Sequence, residues 1–387
     1  MPRPRPPLPQ NASVVIVGGG VIGTSAAFHL AAAGADVVVI ERAQLGSGST
    51  GKAAGGVRTQ FSDVLNIEIA KRSMAAFRDF GRRPGWDIEL KQVGYLFVID
   101  RESDVEEFER SVALQNECGL DSRMLTPGEA RARCPLLEGE DILAAAFSPG
   151  DGHATPEGVV QGYAFAARNH GAHIRTGCEV LAIEVSGGEI TQVITGDGAI
   201  RTNTVICAAG PWSRSCGAMA GVALPVIPLR RQILFTDAID GLPADLPMTI
   251  DFASSFYFHR EGPGLLMGMS DPNERPGFSV ETTEDWIPGL IEVVRRRAPR
   301  IADVGIRGGW AGLYEVTPDH NAIIGEARGV SRFLYATGFS GHGFLQGPAV
   351  GEILRDMVLR RPTFVDISPL SVERFDASAL RPEYNIV

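Results

Sequence analysis

Seven residues near the N-terminus, Val17-Gly18-Gly19-Gly20-Val21-Ile22-Gly23, have the types and spacing to hold phosphate. They follow an apolar strand predicted over residues 13–17 and open an alanine-rich helix, and a second predicted strand, over 37–40, ends on Glu41. Gly18 permits the tight turn out of the strand, Gly20 lets a pyrophosphate approach the main chain, and Gly23 lets helix and strand pack closely. The helix N-terminus, at Val21 and Ile22, offers free N–H groups and a partial positive charge. Glu41 is placed to accept hydrogen bonds from ribose hydroxyls and to repel the extra phosphate of an NADP. Strand, glycine turn, helix, second strand and terminal acid together predict a dinucleotide site.

Two later segments have the same strand-then-glycine character. Val205-Ile206-Cys207-Ala208-Ala209-Gly210, followed by Pro211-Trp212, is a strand ending in small residues that lets a second turn meet the same ligand. Thr337-Gly338-Phe339-Ser340-Gly341-His342-Gly343-Phe344 lies between a strand and a helix, so main-chain N–H groups can converge there with a helix dipole behind them. A reduced flavin carries an anion along one edge of its ring, and this loop is the place to stabilise it. An NAD enzyme needs no second helix terminus of this kind, so the loop points to FAD.

The elements that must position these segments follow from hydrophobic periodicity and punctuation. After Glu41 and Arg42, residues 45–58 are a run of Gly, Ser, Thr and Ala that suits backbone lying along an extended ligand; it holds Ser49, Thr50, Gly55, Gly56 and Val57. Helices are predicted over 62–80 and 103–118 and after the Thr126-Pro127 and Thr155-Pro156 signals, with strands over 94–99, 172–175, 178–185, 190–195 and 204–207. From 223 to 314 longer strands with Pro-rich links predict a mostly antiparallel layer with one helix near 286–297; strand 333–336 and helix 344–359 return to the first style. The fold class is therefore α/β, a Rossmann-like unit beside a mostly antiparallel sheet with helices. The nucleotide unit is assembled from 12–90, 150–220 and 319–365, and the substrate unit from 91–149 and 221–318. Residues 1–11 are expected to be a disordered tail and 366–387 a C-terminal extension.

The chain has 387 residues, enough for two cores, and a net charge of −10, which argues against nucleic acid or anionic membrane as a partner. Five scattered cysteines without a CxxC read as thiols in a reducing cytosol, and the seven histidines show no metal spacing. Residues 13–40 are apolar but interrupted by glycines and Asp36, so no membrane span is expected.

The GGGVIG turn with Glu41-Arg42, the GSGST…AAGGVR segment, the AAGPW turn, GLYEVTPDHNAIIG and ATGFSGHGF together resemble the D-amino-acid-oxidase superfamily of flavoproteins. The resemblance runs from about residue 12 to 365. Within the superfamily the chain looks most like sarcosine oxidase β-subunits and dye-linked L-proline dehydrogenases. The resemblance implies FAD between the two units, touching among others Val180 and Gly312, and oxidation of a small amine at the carbon next to nitrogen by hydride transfer to the flavin. Sarcosine- or proline-like amino acids are the implied substrates. The implied electron acceptor is oxygen or an electron-carrier protein, with a partner subunit possible. Two departures matter. Gly312 stands where monomeric sarcosine oxidases carry a flavin-attaching cysteine, which implies non-covalent FAD. Leu266 and Leu345 stand where those oxidases have an oxygen-activating and a carboxylate-binding lysine. A primary amino-acid or 2-hydroxy-acid dehydrogenase, and a flavin-bearing subunit without turnover, are the alternatives.

The substrate side needs a carboxylate anchor and a dry wall. Arg58, ending the small-residue run where the resemblance brings it to the flavin, is the candidate anchor, because its planar fork suits a carboxylate. Tyr257 and His259 alternate with Phe256 and Phe258, and the polar pair is expected to face the flavin. His342 is expected to shape its loop, and Arg230 and Arg231 to be a solvated strand start.

Overall fold

The computed structural model describes residues 7–376 and 380–385. Its first sheet is built from short runs that are apolar on both faces, as strands covered on both sides must be. In spatial order these are Ile323–Glu326, Phe333–Thr337, Val205–Cys207, Val14–Val17, Val37–Glu41 and His173–Thr176. All neighbours run parallel except the edge strand Ile323–Glu326. The register sets Val17 beside both Ile40 and Cys207, so the turns after residues 17, 41 and 207 emerge together at one end of the sheet. Ligands of open parallel sheets bind at such strand ends.

One face is covered by the helices Val21–Ala32, Pro156–Asn169 and Gly343–Val358, whose apolar residues form a continuous core with Ile16, Val39, Ile206 and Leu334. The other face carries a three-stranded antiparallel sheet, Val180–Ser186, Glu189–Thr195 and Gly198–Arg201. The last of these strands was not expected from the sequence, because its four residues include no apolar run. It takes up part of the predicted tail: Arg201 N–H donates to the Gln10 carbonyl, Ala12 N–H donates to the Arg201 carbonyl, and Leu8 packs on the core beneath. Residues 7–11 are thus held on the sheet; the remainder of the predicted tail lies outside the described residues.

The second sheet has eight strands, in the order Ile306–Val316, Ile227–Thr236, Gly264–Gly268, Phe256–Glu261, Met248–Asp251, Tyr95–Ile99, Ala144–Ser148 and Arg123–Leu125. Every pairing is antiparallel except that of Met248–Asp251 with Tyr95–Ile99. Helices begin where the sequence supplies caps: Asp63 accepts the Asn66 N–H ahead of Val64–Asp79, and Thr126 and Glu129 form a reciprocal box ahead of Pro127–Arg133. Among the described residues no helix is long and apolar enough to cross a membrane, no cluster of side chains could hold a metal, and the five cysteines are unpaired.

The helix Ile287–Arg297 is riveted to this sheet by one buried guanidinium. Arg297 donates through Nε to Asp251 at 2.6 Å, and through its two amino groups to Asp141 and Asp100. Asp251 is itself buried, and without Arg297 its remaining cation is the half-exposed Arg296, 3.4 Å away. Arg297→Met is expected to destabilise the fold by about 3–5 kcal/mol in a urea titration. A loss below about 1 kcal/mol would show that Arg296 or water takes over these carboxylates.

Candidate active site

The turn after Val14–Val17 is closed by contacts that leave no room for side chains. Gly18 has φ +114°, and a Cβ on it would stand 2.2 Å from the Ala208 carbonyl oxygen; one on Gly23 would stand 2.0 Å from the Gly18 oxygen. The helix that follows has Gly20 at its N-cap, no capping side chain and no acid in its first turn. Its N-terminus therefore keeps its positive potential for a ligand phosphate, with only Thr50 Oγ1 near, 3.2 Å from Val21 N. Glu41 reaches back over this turn, accepting Gly19 N–H at 2.7 Å and Ala43 N–H at 2.8 Å.

These groups line one end of an elongated cavity of about 680 Å³, a volume typical of cofactor sites. Gly18, Gly20, Val21, Ile22, Glu41, Arg42, Ser49, Thr50, Gly55 and Gly56 lie along it, and opposite them Val180, Ala208, Ala209, Gly210 and Trp212. Arg42 stacks its guanidinium 3.7 Å over Trp212, whose ring lies at 19° to that of Phe278, 5.5 Å away. Gly312, Gly341, His342, Gly343 and Phe344 line the far end. Gly23, Val57, Gly338 and Phe339 do not reach the cavity. They are packed behind it, Phe339 in the core and Gly338 so close to Thr317 that a Cβ would meet its methyl at 2.3 Å. An uncapped helix N-terminus beside a carboxylate, continuous with a second glycine loop, fits a flavin dinucleotide.

At the far end the Gly338–Gly343 loop is held from below by Glu315, which accepts from Thr337 Oγ1 at 2.8 Å and from Gly338 N–H at 3.1 Å. Burial pushes this carboxyl up to about 7. His342 forms the N-cap of Gly343–Val358. Burial, and then the charge of Arg58, hold its pKa well below the ordinary value, so its ring is neutral and Nε2 accepts from Arg58 at 3.0 Å. Arg58 also donates to the carbonyls of Gln60 and Asn385 and lies over the ring of Phe61, 4.5 Å away. Arg58 does border the cavity, but three acceptors already engage the fork that was expected to grip a carboxylate.

Tyr257 lines the cavity. His259, two residues on, does not: it is buried with Nε2 2.9 Å from the Ala54 carbonyl, its ring 4.2 Å from that of His153. The expected alternation is right, but the 53–56 segment covers the lower half of that face, so His259 supports the segment rather than the substrate. Leu266 pairs with His259 in the same covered region, whereas Leu345 lines the cavity.

Sequence reasoning gave no role to Tyr95, Tyr314 and Glu315 and expected Arg231 to be solvated at a strand start; all four line the cavity. Tyr95 lies in a fully buried strand with no polar face to read. Arg231 and Tyr314 become visible only through the register that sets Arg231 against Gly312 and Leu229 against Tyr314. Burial raises the pKa of all three tyrosines, which therefore stay protonated.

The profile of the FAD dependent oxidoreductase family, DAO, matches residues 13–357, and the chain belongs to that family. It is 30% identical over 395 residues to mouse mitochondrial dimethylglycine dehydrogenase, covering 97% of this chain and 45% of that one. It is 29% identical over 393 residues to human mitochondrial sarcosine dehydrogenase, covering 97% and 42%. The chain thus spans less than half the length of these two relatives. The structure of L-proline dehydrogenase from P. horikoshii superposes with a TM-score of 0.91 at 32% identity, covering 97% of this chain and all of the other.

Two outcomes are expected. Glu41→Ala should weaken FAD binding to the apoprotein at least about tenfold, the worth of hydrogen bonds to a charged group; unchanged affinity in a fluorescence titration would place the ribose elsewhere. The second concerns pH. Glu315 holds its proton more tightly folded than unfolded, so as pH rises from its ordinary value of 4.5 towards about 7 the unfolded chain ionises first and stability falls. Asp151, pushed up to about 6 by burial, acts in the same direction. The buried histidines, held neutral, act in the opposite direction below their ordinary value of 6.5, so the test is a difference. With Glu315→Gln, neutral throughout, Tm should fall less, or rise more, between about pH 5 and about pH 8 than it does in the wild type. An unchanged slope would mean that Glu315 is ionised in the folded protein.

Proposed function

We propose that this chain is the FAD-binding, substrate-oxidising part of an amine dehydrogenase whose substrate is a secondary or N-methyl amino acid. The observation that carries the reading is the single cavity that joins an uncapped dinucleotide turn to a pocket walled by Tyr95, Tyr257 and Tyr314. The relatives support it, since sarcosine, dimethylglycine and L-proline are small amino acids in which nitrogen carries an extra carbon. Bound FAD would supply the acceptor for a hydride from the carbon beside nitrogen; the amine becomes an iminium ion, and then an imine by loss of its N–H proton to water.

The chain's own groups do the rest. Neutral tyrosines and Leu345 exclude water, and the helix terminus at His342 places positive potential at the far end of the cavity. His342 is no base, because Arg58 occupies its Nε2 lone pair; the site therefore takes the amine unprotonated. In this reading residues 12–90, 150–220 and 319–365 bind the cofactor, 91–149 and 221–318 enclose the substrate, and the protein works in the cytosol, as five free thiols suit. FAD is held without a covalent bond, Gly312 offering no attachment atom.

Anaerobic mixing of the yellow protein with N-methylglycine, L-proline, glycine and lactate tests the reading. The first two should bleach the flavin and the others bleach it more slowly, and acid precipitation should release all the FAD. Faster bleaching by glycine or lactate would move the substrate class to primary amino acids or 2-hydroxy acids. No bleaching by any amine would make the chain a flavin carrier without turnover.

A further inference from the structure

Arg231 lies near the middle of the strand Ile227–Thr236, whose residues alternate between two environments. Arg230 and Gln232 turn to the outer face. There Arg230 meets Glu274 at 2.7 Å and Gln232 meets Thr283, so both are held by the segment 270–286. Arg231 and Ile233 turn inward and line the cavity. The residue opposite Arg231 is Gly312, which has no side chain to fill the space beside it.

Arg231 is a half-buried cation with little to satisfy it. One amino group donates to the Arg230 carbonyl at 3.1 Å; Nε is buried and has no partner; and no carboxylate among the described residues comes within ion-pair distance. Its guanidinium lies 5.2 Å from the ring centre of Tyr314. Its charge acts on both Tyr314 and Tyr257, the phenols of the pocket wall. Withdrawing a guanidinium from water without a counter-ion is costly, so an unpaired one facing a cavity is a site for a ligand anion.

The other cations bordering the cavity come from the nucleotide side of it, from residues 42, 52 and 58. Arg58 is bound to two carbonyls and His342, Arg42 is stacked on Trp212, and the Lys52 ammonium stands over the ring of Trp310. Of the cavity-lining residues that the eight-stranded sheet contributes, Arg231 alone is a cation among the described residues.

We propose that Arg231 is the carboxylate anchor of the substrate pocket, gripping an amino acid by its carboxylate between Tyr257 and Tyr314 while the amine end points towards Arg58 and His342. This rests on the amine-oxidising reading above and deepens it. The pocket then prefers amino acids to plain amines, and the position matching a carboxylate-binding lysine can be Leu345 because the charge comes from the opposite sheet.

The test compares wild type, Arg231→Met and Arg231→Lys as FAD-loaded proteins, with FAD content checked first. Anaerobic flavin reduction is followed with two pairs, N-methylglycine against dimethylamine and L-proline against pyrrolidine. Arg231→Met should lower kcat/KM for the two acids by roughly 30-fold or more, chiefly through KM, and change the plain amines by less than about threefold. Arg231→Lys should recover part of the loss, a point charge lacking the planar fork. A titration with acetate, read from the visible spectrum of the oxidised flavin, should show weaker binding to Arg231→Met by a similar factor. Equal losses on acid and amine, or acetate affinity unchanged in Arg231→Met, would overturn the anchor while leaving the amine-oxidising reading intact. If no compound reduces the wild-type flavin but acetate binding still depends on Arg231, the anchor stands and the substrate class is wrong. A wild type that neither reacts nor binds acetate overturns both.

Discussion

The guanidinium of Arg58 is the fixed point of the reactive end. It is buried, so its charge is tolerated only because three acceptors and an aromatic face surround it. Each acceptor belongs to a different part of the chain: the Gln60 carbonyl to the small-residue segment, His342 to the glycine loop, and the Asn385 carbonyl to the far C-terminal stretch. The segment beside it is fixed in turn by Asp151, which accepts both the amide and the hydroxyl of Thr59, at 2.9 and 2.8 Å. A single cation therefore sets the relative positions of three backbones that would otherwise meet as loops. It also settles the protonation of His342, since a neutral ring with its Nε2 lone pair turned to Arg58 is the only form that relieves both groups.

Two arginines facing one cavity thus have different physical situations. Arg58 is saturated and acts as architecture with an electrostatic effect, its charge reaching the cavity without a free fork. Arg231 is unsaturated and has room in front of it. In a chain of net charge −10, an anionic substrate depends on such local cations rather than on the general field. The unsaturated cation lies on the antiparallel sheet and the saturated one on the segment that leads from the nucleotide side.

What was legible in the sequence was what local chemistry dictates. The Gly18–Gly23 turn, the acid at the end of Val37–Glu41, the Asp63 and Thr126 caps and the loop ending at Phe344 each follow from a steric or hydrogen-bonding need that a few adjacent residues express. The substrate wall was not legible, because it is composed across strands. Tyr257 alone of these was marked by its strand alternation; Tyr95 comes from another strand and Arg231 and Tyr314 from a further pair, and these three have no local signal that distinguishes them from core or surface residues. His259 shows the limit from the other side. Its alternation with Tyr257 was correctly read, but which half of a face is covered depends on where a distant segment, 53–56, is laid down.

The same cross-strand logic applies to Gly312. A cysteine at that place would carry its Cβ 2.5 Å from the Cβ of Lys52, inside any tolerable contact. The glycine is therefore more than the absence of an attachment atom, for the space next to it is already occupied by the stem of Lys52, whose carbonyl is held at 3.0 Å by the Trp310 indole. Replacing Gly312 by cysteine would first have to displace Lys52 from the Trp310 ring and loosen the 50–52 turn, which carries Thr50 to the N-terminus of the first helix. A cysteine at 312 and the present packing of the phosphate-side segment thus exclude one another. Residue 312 therefore offers a ligand only backbone, while the glycine turn, Glu41 and Gly341 to Phe344 supply the polar and dipolar lining of the cavity.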